Sequence, residues 1–141
     1  GFTDQVPTMN QVVSGQHRQE VLGRDVPNLV FWVMIFGLLP GDEEELQVIA
    51  PDGSVLVRTQ GEPAKKPKIR WLTYNGKRAR GLWETGRYKG EYQLLRTTGS
   101  ERKVVLLVII CCLPALLRMN FPVPVFLNRF AAPRCVFSFG I

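Results

Sequence analysis

The single histidine of the chain, His17, stands in the polar stretch SGQHRQE. A histidine-based zinc site or a Ser-His-Asp triad would have to use this residue. The sequence offers no second histidine, and its three cysteines lie far away, near the C-terminus. We therefore interpret His17 as an exposed residue of a linker and expect neither a metal site nor a catalytic triad.

The remaining reactive residues also lack a catalytic arrangement. Cys111 and Cys112 are adjacent, and adjacent cysteines rarely form a disulfide with each other. A disulfide between one of them and Cys135 is the alternative. Asp52 and Glu84 are a conceivable carboxylate pair, but the sequence does not bring them together. No GxGxxG or P-loop pattern is present. We expect no enzymatic activity from this chain and no cofactor.

A basic, aromatic region extends over residues 65–103, with twelve Lys or Arg residues against three acids. Basic and aromatic residues together are typical of a nucleic-acid platform. The same composition also fits sandwich strands with aromatic side chains inside and cations outside. We favour solvated strand faces or a surface for an anionic polymer or protein, and nucleic acid least. The predicted surface residues are Lys65, Lys66, Lys68, Arg78 and Arg87.

Charge is distributed unevenly in this basic protein, which has a net charge of +6 and a pI near 9.6. All twelve acids and fifteen of the eighteen Lys and Arg residues precede Val104. Such a break indicates two regions of different origin or environment. The uncharged run Val104 to Leu117 is shorter than the roughly twenty apolar residues of a membrane-spanning helix and contains Pro114. Its β-branched first half favours a buried strand. The alternative hypothesis is a membrane-anchored or membrane-associated interaction protein that uses residues 104–117.

Alternating side chains between turn signals predict the fold. The segment NLVFWVMIFGLL is apolar on both alternating faces, which favours a strand buried on both sides, with a short buried helix as the alternative. In LLPGDEEELQVIAPDGSVLV, the PDG turn joins two alternating segments into a hairpin. Glu43, Glu44 and Glu45 are interpreted as a solvated start of its first strand.

Further strand signals follow along the chain. Asn75-Gly76 predicts a second hairpin between IRWLTY and KRARGLW. ETGRYKGEYQLLR predicts a strand with Tyr88, Tyr92 and Leu94 on one face, and RKVVLLVII predicts a last core strand. About seven short strands are typical of an antiparallel, immunoglobulin-like β-sandwich. We expect an all-β domain at 28–110, a lead-in or linker at 1–27, and an irregular apolar tail at 111–141.

Several of these segments resemble one bacterial family. GFTD at the start, VPNLVFWVMIFGLLPGDEEELQVIAPDGSVL and GLWETGRYKGEYQLLR are similar to the accessory region that follows the catalytic domain in LytM-type (lysostaphin-like) zinc metallopeptidase proteins, peptidase family M-23. The pattern is an aromatic strand, PGD, PDG and W-x-x-G-x-Y-x-G. Here it falls on Trp32, Pro40 to Asp42, Pro51 to Gly53 and Trp83 to Gly90. The similarity covers roughly residues 1–103.

This resemblance implies a noncatalytic accessory module of a cell-envelope protein. The family's zinc ligands come from HxxxD and HxH motifs, and neither exists in this sequence. The implied partners are the catalytic domain of the same parent protein or an anionic wall polymer, and the implied location is the periplasm or cell envelope. A signal peptide is not visible, and a start at Gly1 leads us to expect a fragment or a processed product.

Overall fold

The computed structural model describes residues 1–16 and 21–115. Within these ranges the chain forms two packed β-sheets with one short helix, which confirms the predicted all-β sandwich. The elements are β1 (Phe2–Thr3), α1 (Met9–Val13), β2 (Val21–Gly23), β3 (Asn28–Leu38), β4 (Glu43–Ile49), β5 (Val55–Gln60), β6 (Lys68–Arg78), β7 (Tyr88–Thr98) and β8 (Glu101–Ala115).

The smaller sheet has the strand order β1-β3-β6, and all its pairings are antiparallel. The alternation in β3 directs Leu29, Phe31, Val33 and Ile35 into the core, where all four are buried. The opposite face was expected to be buried as well, and this prediction is wrong for Phe36, which is 67% exposed. Only one face of this sheet has a second sheet packed against it. On the outer face of β3, Val30 is buried, Trp32 and Met34 are partly exposed, and Phe36 meets solvent.

The larger sheet has the order β2-β8-β7-β4-β5. Its pairings are antiparallel, except that β2 runs parallel to the end of β8. The predicted hairpin at Leu38 to Val57 is confirmed as β4 and β5, joined by the turn at Pro51 to Gly53. The predicted alternation of β7 is confirmed too, because Tyr88, Tyr92 and Leu94 are all buried.

Phe31 and Gly90 interlock the two sheets at the centre of the core. The Phe31 side chain is fully buried and packs on Phe2, with ring centroids 5.2 Å apart. Opposite it on β7, a Cβ atom at residue 90 would collide with the Phe31 ring. Glycine at this position therefore lets an aromatic ring occupy the space between the sheets.

The predicted hairpin at Asn75-Gly76 is wrong. Strand β6 continues through both residues and pairs along its length with β3, where Phe31 lies opposite Asn75 and Val30 opposite Gly76. A Cβ atom at residue 76 would lie 2.9 Å from the Leu29 carbonyl oxygen, so glycine here serves close backbone approach rather than a turn. The expected partner strand, KRARGLW, is instead the end of β6 and the start of the β6–β7 loop.

The two ends of the sandwich differ from the sequence interpretation. Residues 1–27 were taken as a linker, yet β1 pairs with β3, β2 pairs with β8, and Phe2 belongs to the core. A two-residue strand carries no detectable period, which explains why it escaped prediction. Strand β8 crosses the expected boundary at residue 111 and ends at Ala115. The rest of the expected tail, residues 116–141, lies outside the described residues.

Candidate functional site

The five predicted surface residues lie at opposite ends of the sandwich. Lys65 and Lys66 are exposed in the β5–β6 loop, and Lys68 begins β6. Arg78 ends β6, and exposed Arg87 directly precedes β7. Ten residue steps of extended strand separate the two ends by about 33 Å. The five residues therefore form two separate basic areas.

The area around Arg78 contains a groove of about 290 Å³, which we call the basic groove. It lies between the β4–β5 turn, the end of β6 and the β6–β7 loop. Its lining residues are Ala50, Asp52, Ser54, Leu56, Lys77, Arg78, Ala79, Arg80, Gly81, Leu82, Trp83, Glu84 and Tyr88. Apolar side chains thus form part of its wall, and three cations and two acids stand among them.

Trp83 anchors the β6–β7 loop to the segment before β3. Its indole Nε1–H donates to the Val26 carbonyl oxygen at 2.8 Å, and its backbone N–H donates to the Arg24 carbonyl oxygen at 2.9 Å. The Arg24 guanidinium Nε–H donates in return to the Trp83 carbonyl oxygen at 2.8 Å. These three bonds fix one wall of the basic groove, since each spans more than fifty residues of sequence.

Tyr88 closes the same loop from its other end. The ring is buried edge-on against Trp83, with centroids 6.1 Å apart at 88°, and its hydroxyl donates to the Glu84 carbonyl oxygen at 3.2 Å. Gly86, at φ +143°, packs against Pro51 of the β4–β5 turn. Loop and turn are thereby held together, and the groove between them is preformed.

The cations at the basic groove make no ion pair in the described parts of the chain, although Asp52 and Glu84 also line the groove. Lys77, Arg78, Arg80 and Arg87 form no ion pair with another residue of the described ranges. Elsewhere, Arg58 pairs with Glu45, Arg96 with Asp42 and Arg102 with Glu43, each within 2.7 Å. From Lys77 to Lys89 the sequence has five cations and one acid, Glu84. Their charge is therefore available to an anionic ligand.

The structure brings Asp52 and Glu84, the carboxylate pair considered from the sequence, to the lining of this one groove. The hydrogen bonds from Ser54, whose N–H lies 2.9 Å from the carboxylate, hold the pKa of Asp52 below its usual range. Burial, reinforced by the charge of Glu84, raises the pKa of Tyr88. Asp52 therefore stays ionised and Tyr88 neutral near pH 7, so neither is tuned for proton transfer at that pH.

Metal and thiol chemistry has little support in the described parts of the chain. Residues 1–16 and 21–115 contain no group of three His, Cys, Asp or Glu side chains placed to hold a metal ion. His17 and Cys135 lie outside those ranges. Cys111 and Cys112 are not bonded to each other, and burial raises the pKa of the Cys112 thiol. Cys112 therefore lacks the thiolate character of a nucleophile.

Segment 104–117 is a strand as far as it is described, because β8 runs to Ala115 and residues 116–117 lie beyond. The sequence predicted RKVVLLVII, which is part of β8, to be a buried core strand. This prediction is correct for only one face of the strand. Leu106, Val108 and Ile110 pack against the core, whereas Val105, Leu107 and Ile109 are exposed on the outer face. Among the described residues, no helix has the length and apolar character needed to cross a bilayer.

Comparisons of the chain with models of protein families, with curated proteins and with solved structures gave no match.

Sequence reasoning found Arg78 and Arg87 but missed Lys77 and Arg80 as part of the same area. The available signal was the local imbalance of charge between Lys77 and Lys89. The prediction of a hairpin at Asn75-Gly76 concealed it, because a turn there would have placed these cations along a strand rather than around a loop.

Proposed function

We propose that this domain is a noncatalytic, immunoglobulin-like binding module, an accessory part of a bacterial cell-envelope protein of the LytM-type peptidase group. Its basic groove receives negatively charged groups of a wall polymer. The observation that carries this proposal is the set of three cations that line the groove, Lys77, Arg78 and Arg80, which have no carboxylate partner among the described residues. Arg87, on the same β6–β7 loop, adds a fourth unpaired cation at this end of the sandwich. Charges left unpaired around a preformed concavity favour an anionic ligand.

The strand order supports the immunoglobulin-like part of the proposal. A sheet β1-β3-β6 faces a sheet β2-β8-β7-β4-β5, and the first chain segment crosses from one sheet to the other between β1 and β2. Tyr88 begins β7 and bonds back to the Glu84 carbonyl oxygen, as the tyrosine corner of such domains does. Two residues later, Gly90 and Phe31 occupy the inter-sheet position that a disulfide often fills.

The dimensions and lining of the groove also favour binding of one segment of a long polymer over binding of a small cofactor. Its volume of about 290 Å³ lies at the lower limit of small-molecule sites. Leu82, which is 64% exposed on its rim, offers an apolar contact beside the cations. A polymer segment with acidic groups and apolar ring or chain faces fits such a lining.

The parent protein and its location rest on the resemblance at Trp32, Pro40 to Asp42, Pro51 to Gly53 and Trp83 to Gly90. A module of this kind positions a catalytic domain on the wall, and either that domain or the wall polymer is its partner. The module itself carries neither the HxxxD nor the HxH motif. The periplasm or cell envelope is accordingly the proposed location.

Sedimentation with purified peptidoglycan sacculi that retain their anionic polymers tests the proposal. We expect the wild-type chain to sediment with sacculi at low salt and the double variant Arg78→Gln/Arg80→Gln to bind several-fold more weakly, since each lost cation removes one attraction. The matched control is Arg58→Gln/Lys103→Gln, which removes the same charge by replacing two largely exposed cations outside the groove. Equal loss in both double variants, or no binding at low salt, would contradict the proposal.

A further inference from the structure

A second surface, at the end of the sandwich opposite the basic groove, combines exposed apolar side chains with cations. We call it the basic tip, formed by the end of β3, the β3–β4 turn, the β5–β6 loop and the start of β6. Phe36 is 67% exposed, Leu39 44% and Ile69 88%. Because Phe36 pairs with Arg70 in the ladder, Ile69 lies one residue from the position opposite Phe36. The three exposed apolar side chains therefore lie at the same end of the sandwich.

Backbone hydrogen bonds fasten the two loops of the basic tip to each other. The Gly41 N–H donates to the Ala64 carbonyl oxygen at 2.8 Å, and the Ala64 N–H donates to the Asp42 carbonyl oxygen at the same distance. Leu38, which is buried, pairs with Lys68 across the β3–β6 ladder. The exposed side chains thus project from a fixed base.

The charge of the basic tip is positive. Besides Lys65, Lys66, Lys68 and Arg70, the tip contains two acids. Asp42 is buried and paired with Arg96. The Glu62 carboxylate lies 3.8 Å from the Lys65 Nζ with both side chains largely in solvent. Lys66, Lys68 and Arg70 have no carboxylate partner in the described ranges. The Lys68 ammonium instead lies 2.9 Å from the centroid of the Trp71 ring, which orients it without neutralising it.

We infer that the basic tip docks on an anionic lipid surface, with Phe36, Leu39 and Ile69 entering the interfacial layer and the surrounding cations contacting lipid headgroups. Apolar side chains ringed by Lys and Arg are the composition that binds such surfaces. Three of the four cations are lysines, which are depleted in protein–protein interfaces. This surface is distinct from the basic groove and goes beyond the proposed function.

The apolar stripe on β8 is a weaker membrane site by the same criteria. Val105, Leu107 and Ile109 are also exposed, but the cations next to them are neutralised. Arg102 pairs with Glu43 at 2.6 Å, and Lys103 pairs with Glu101 at 2.9 Å. An anionic surface would therefore attract the basic tip more strongly than the face of β8.

Co-sedimentation of the full chain with lipid vesicles tests this inference. Vesicles of phosphatidylcholine alone are compared with vesicles containing phosphatidylglycerol at low and physiological salt. We expect binding to the anionic vesicles to fall about fivefold in Ile69→Ser, because an exposed isoleucine loses apolar burial in the interface. In Lys65→Gln/Lys66→Gln it is expected to fall by about an order of magnitude. Val13→Ser, an exposed valine of α1 outside both the basic tip and the basic groove, is the matched control and should bind like wild type.

Other outcomes would overturn the inference. Equal binding to neutral and anionic vesicles, or wild-type binding by both tip variants, excludes the basic tip as the docking site. A loss confined to Leu107→Ser would assign membrane contact to the segment 104–117 instead. Binding of a polyglutamate peptide that depends on Lys65 and Lys66, without vesicle binding, would assign the tip to an acidic protein partner. The wall-binding test with Arg78→Gln/Arg80→Gln is independent of all these results, so failure of one proposal leaves the other intact.

Discussion

Asp42 and Arg96, 54 residues apart in the chain, form an ion pair with two contacts: Nε donates to Oδ1 at 2.7 Å and the second guanidinium nitrogen donates to Oδ2 at 2.8 Å. Asp42 is only 1% exposed, and its carboxylate also accepts the Leu39 N–H at 2.8 Å. The PGD turn after β3 is therefore tied to β7. Its aspartate, whose sequence context indicated only a turn, is a buried anchor.

Removing Asp42 should destabilise the domain more than removing a surface acid. Asp42→Ala leaves the Arg96 guanidinium and the Leu39 N–H without their acceptor, and we expect a loss of about 2–3 kcal/mol in the free energy of unfolding, because Arg96 is partly solvated. Urea unfolding measures the loss. The control Arg58→Gln breaks the pair with Glu45, in which the arginine is largely in solvent, and should cost less than about 1 kcal/mol. Equal losses in the two variants would show that the Asp42–Arg96 pair contributes no more to the free energy of unfolding than a surface pair does.

Acid should weaken the domain through the same pair. The hydrogen bonds from Arg96 hold the pKa of Asp42 below its ordinary value of 3.8. Because the folded-state pKa is the lower one, the unfolded chain takes up the proton first as pH falls. The contribution is therefore fully present above about pH 5 and is lost progressively at lower pH, down through the folded-state pKa.

Unfolding midpoints in urea between pH 7 and pH 3 measure this dependence. The variant Asp42→Asn should have a flatter profile than wild type over the acidic part of the range. Lys89 and Gln47 likewise hold the pKa of Glu91 below its usual range, so part of the slope should remain in that variant. A profile identical to that of wild type would contradict a role for Asp42 in acid sensitivity.

Gly90→Ala should destabilise the core by about 1–3 kcal/mol, because its Cβ collides with the Phe31 ring and the ring must move in a packed interior. Chemical or thermal unfolding gives the value. Gly61→Ala is the control, since its Cβ would meet the nearest neighbour at an ordinary 3.6 Å. The double variant Phe31→Leu/Gly90→Ala should lose less than the sum of the two single changes. Simple additivity would refute direct contact as the cause.

Glu44 joins the two sheets by accepting hydrogen bonds from the Trp71 indole N–H at 2.8 Å and from the Tyr92 hydroxyl at 3.1 Å. Glu44→Ala leaves both donors without an acceptor, and we expect a cost of about 2 kcal/mol. Glu44→Gln, which keeps one acceptor oxygen, should lose less. The neighbouring change Glu43→Gln breaks a partly exposed pair with Arg102 and should cost below about 1 kcal/mol.

Tyr92 should resist ionisation in alkali. Burial, reinforced by the negative charge of Glu44, raises its pKa above the ordinary value of 10.0. The unfolded chain therefore loses this proton first, and stability should decrease as pH rises past about 10. Spectrophotometric titration of the tyrosines measures the effect. Ionisation of every tyrosine together near pH 10, in a chain still folded by circular dichroism, would be inconsistent with it.

The parts of the fold that sequence predicts are those in which local signals and packing agree. The PDG turn at Pro51 to Gly53 and the alternation of Tyr88, Tyr92 and Leu94 both carry a period that the sheets preserve. At Asn75-Gly76 the local turn signal loses to tertiary pairing, because β3 offers a partner along the whole of β6. Local propensity alone does not report a partner that lies more than forty residues away.

The glutamates at the start of β4 show a similar limit for side chains. Glu43, Glu44 and Glu45 were expected to be solvated, yet all three are partly buried and each has a polar partner on another strand. Composition reveals the charge but not the partners, since those come from β5, β6, β7 and β8.

The cations of the candidate site likewise depend on contacts that composition does not reveal. Arg78 and Arg87 were identified by residue type, but the loop that gathers Lys77 and Arg80 beside them depends on Trp83 and its distant acceptors.

The contact between Phe31 and Gly90 determines how the sandwich responds to its chemical surroundings. At the centre of the domain, a phenyl ring without a redox-active atom fills the gap between the layers. Thiol reagents and changes in redox potential therefore have no disulfide to reduce at this position. The cohesion of the two layers at this contact consequently depends on shape and exclusion of water and not on a covalent bond.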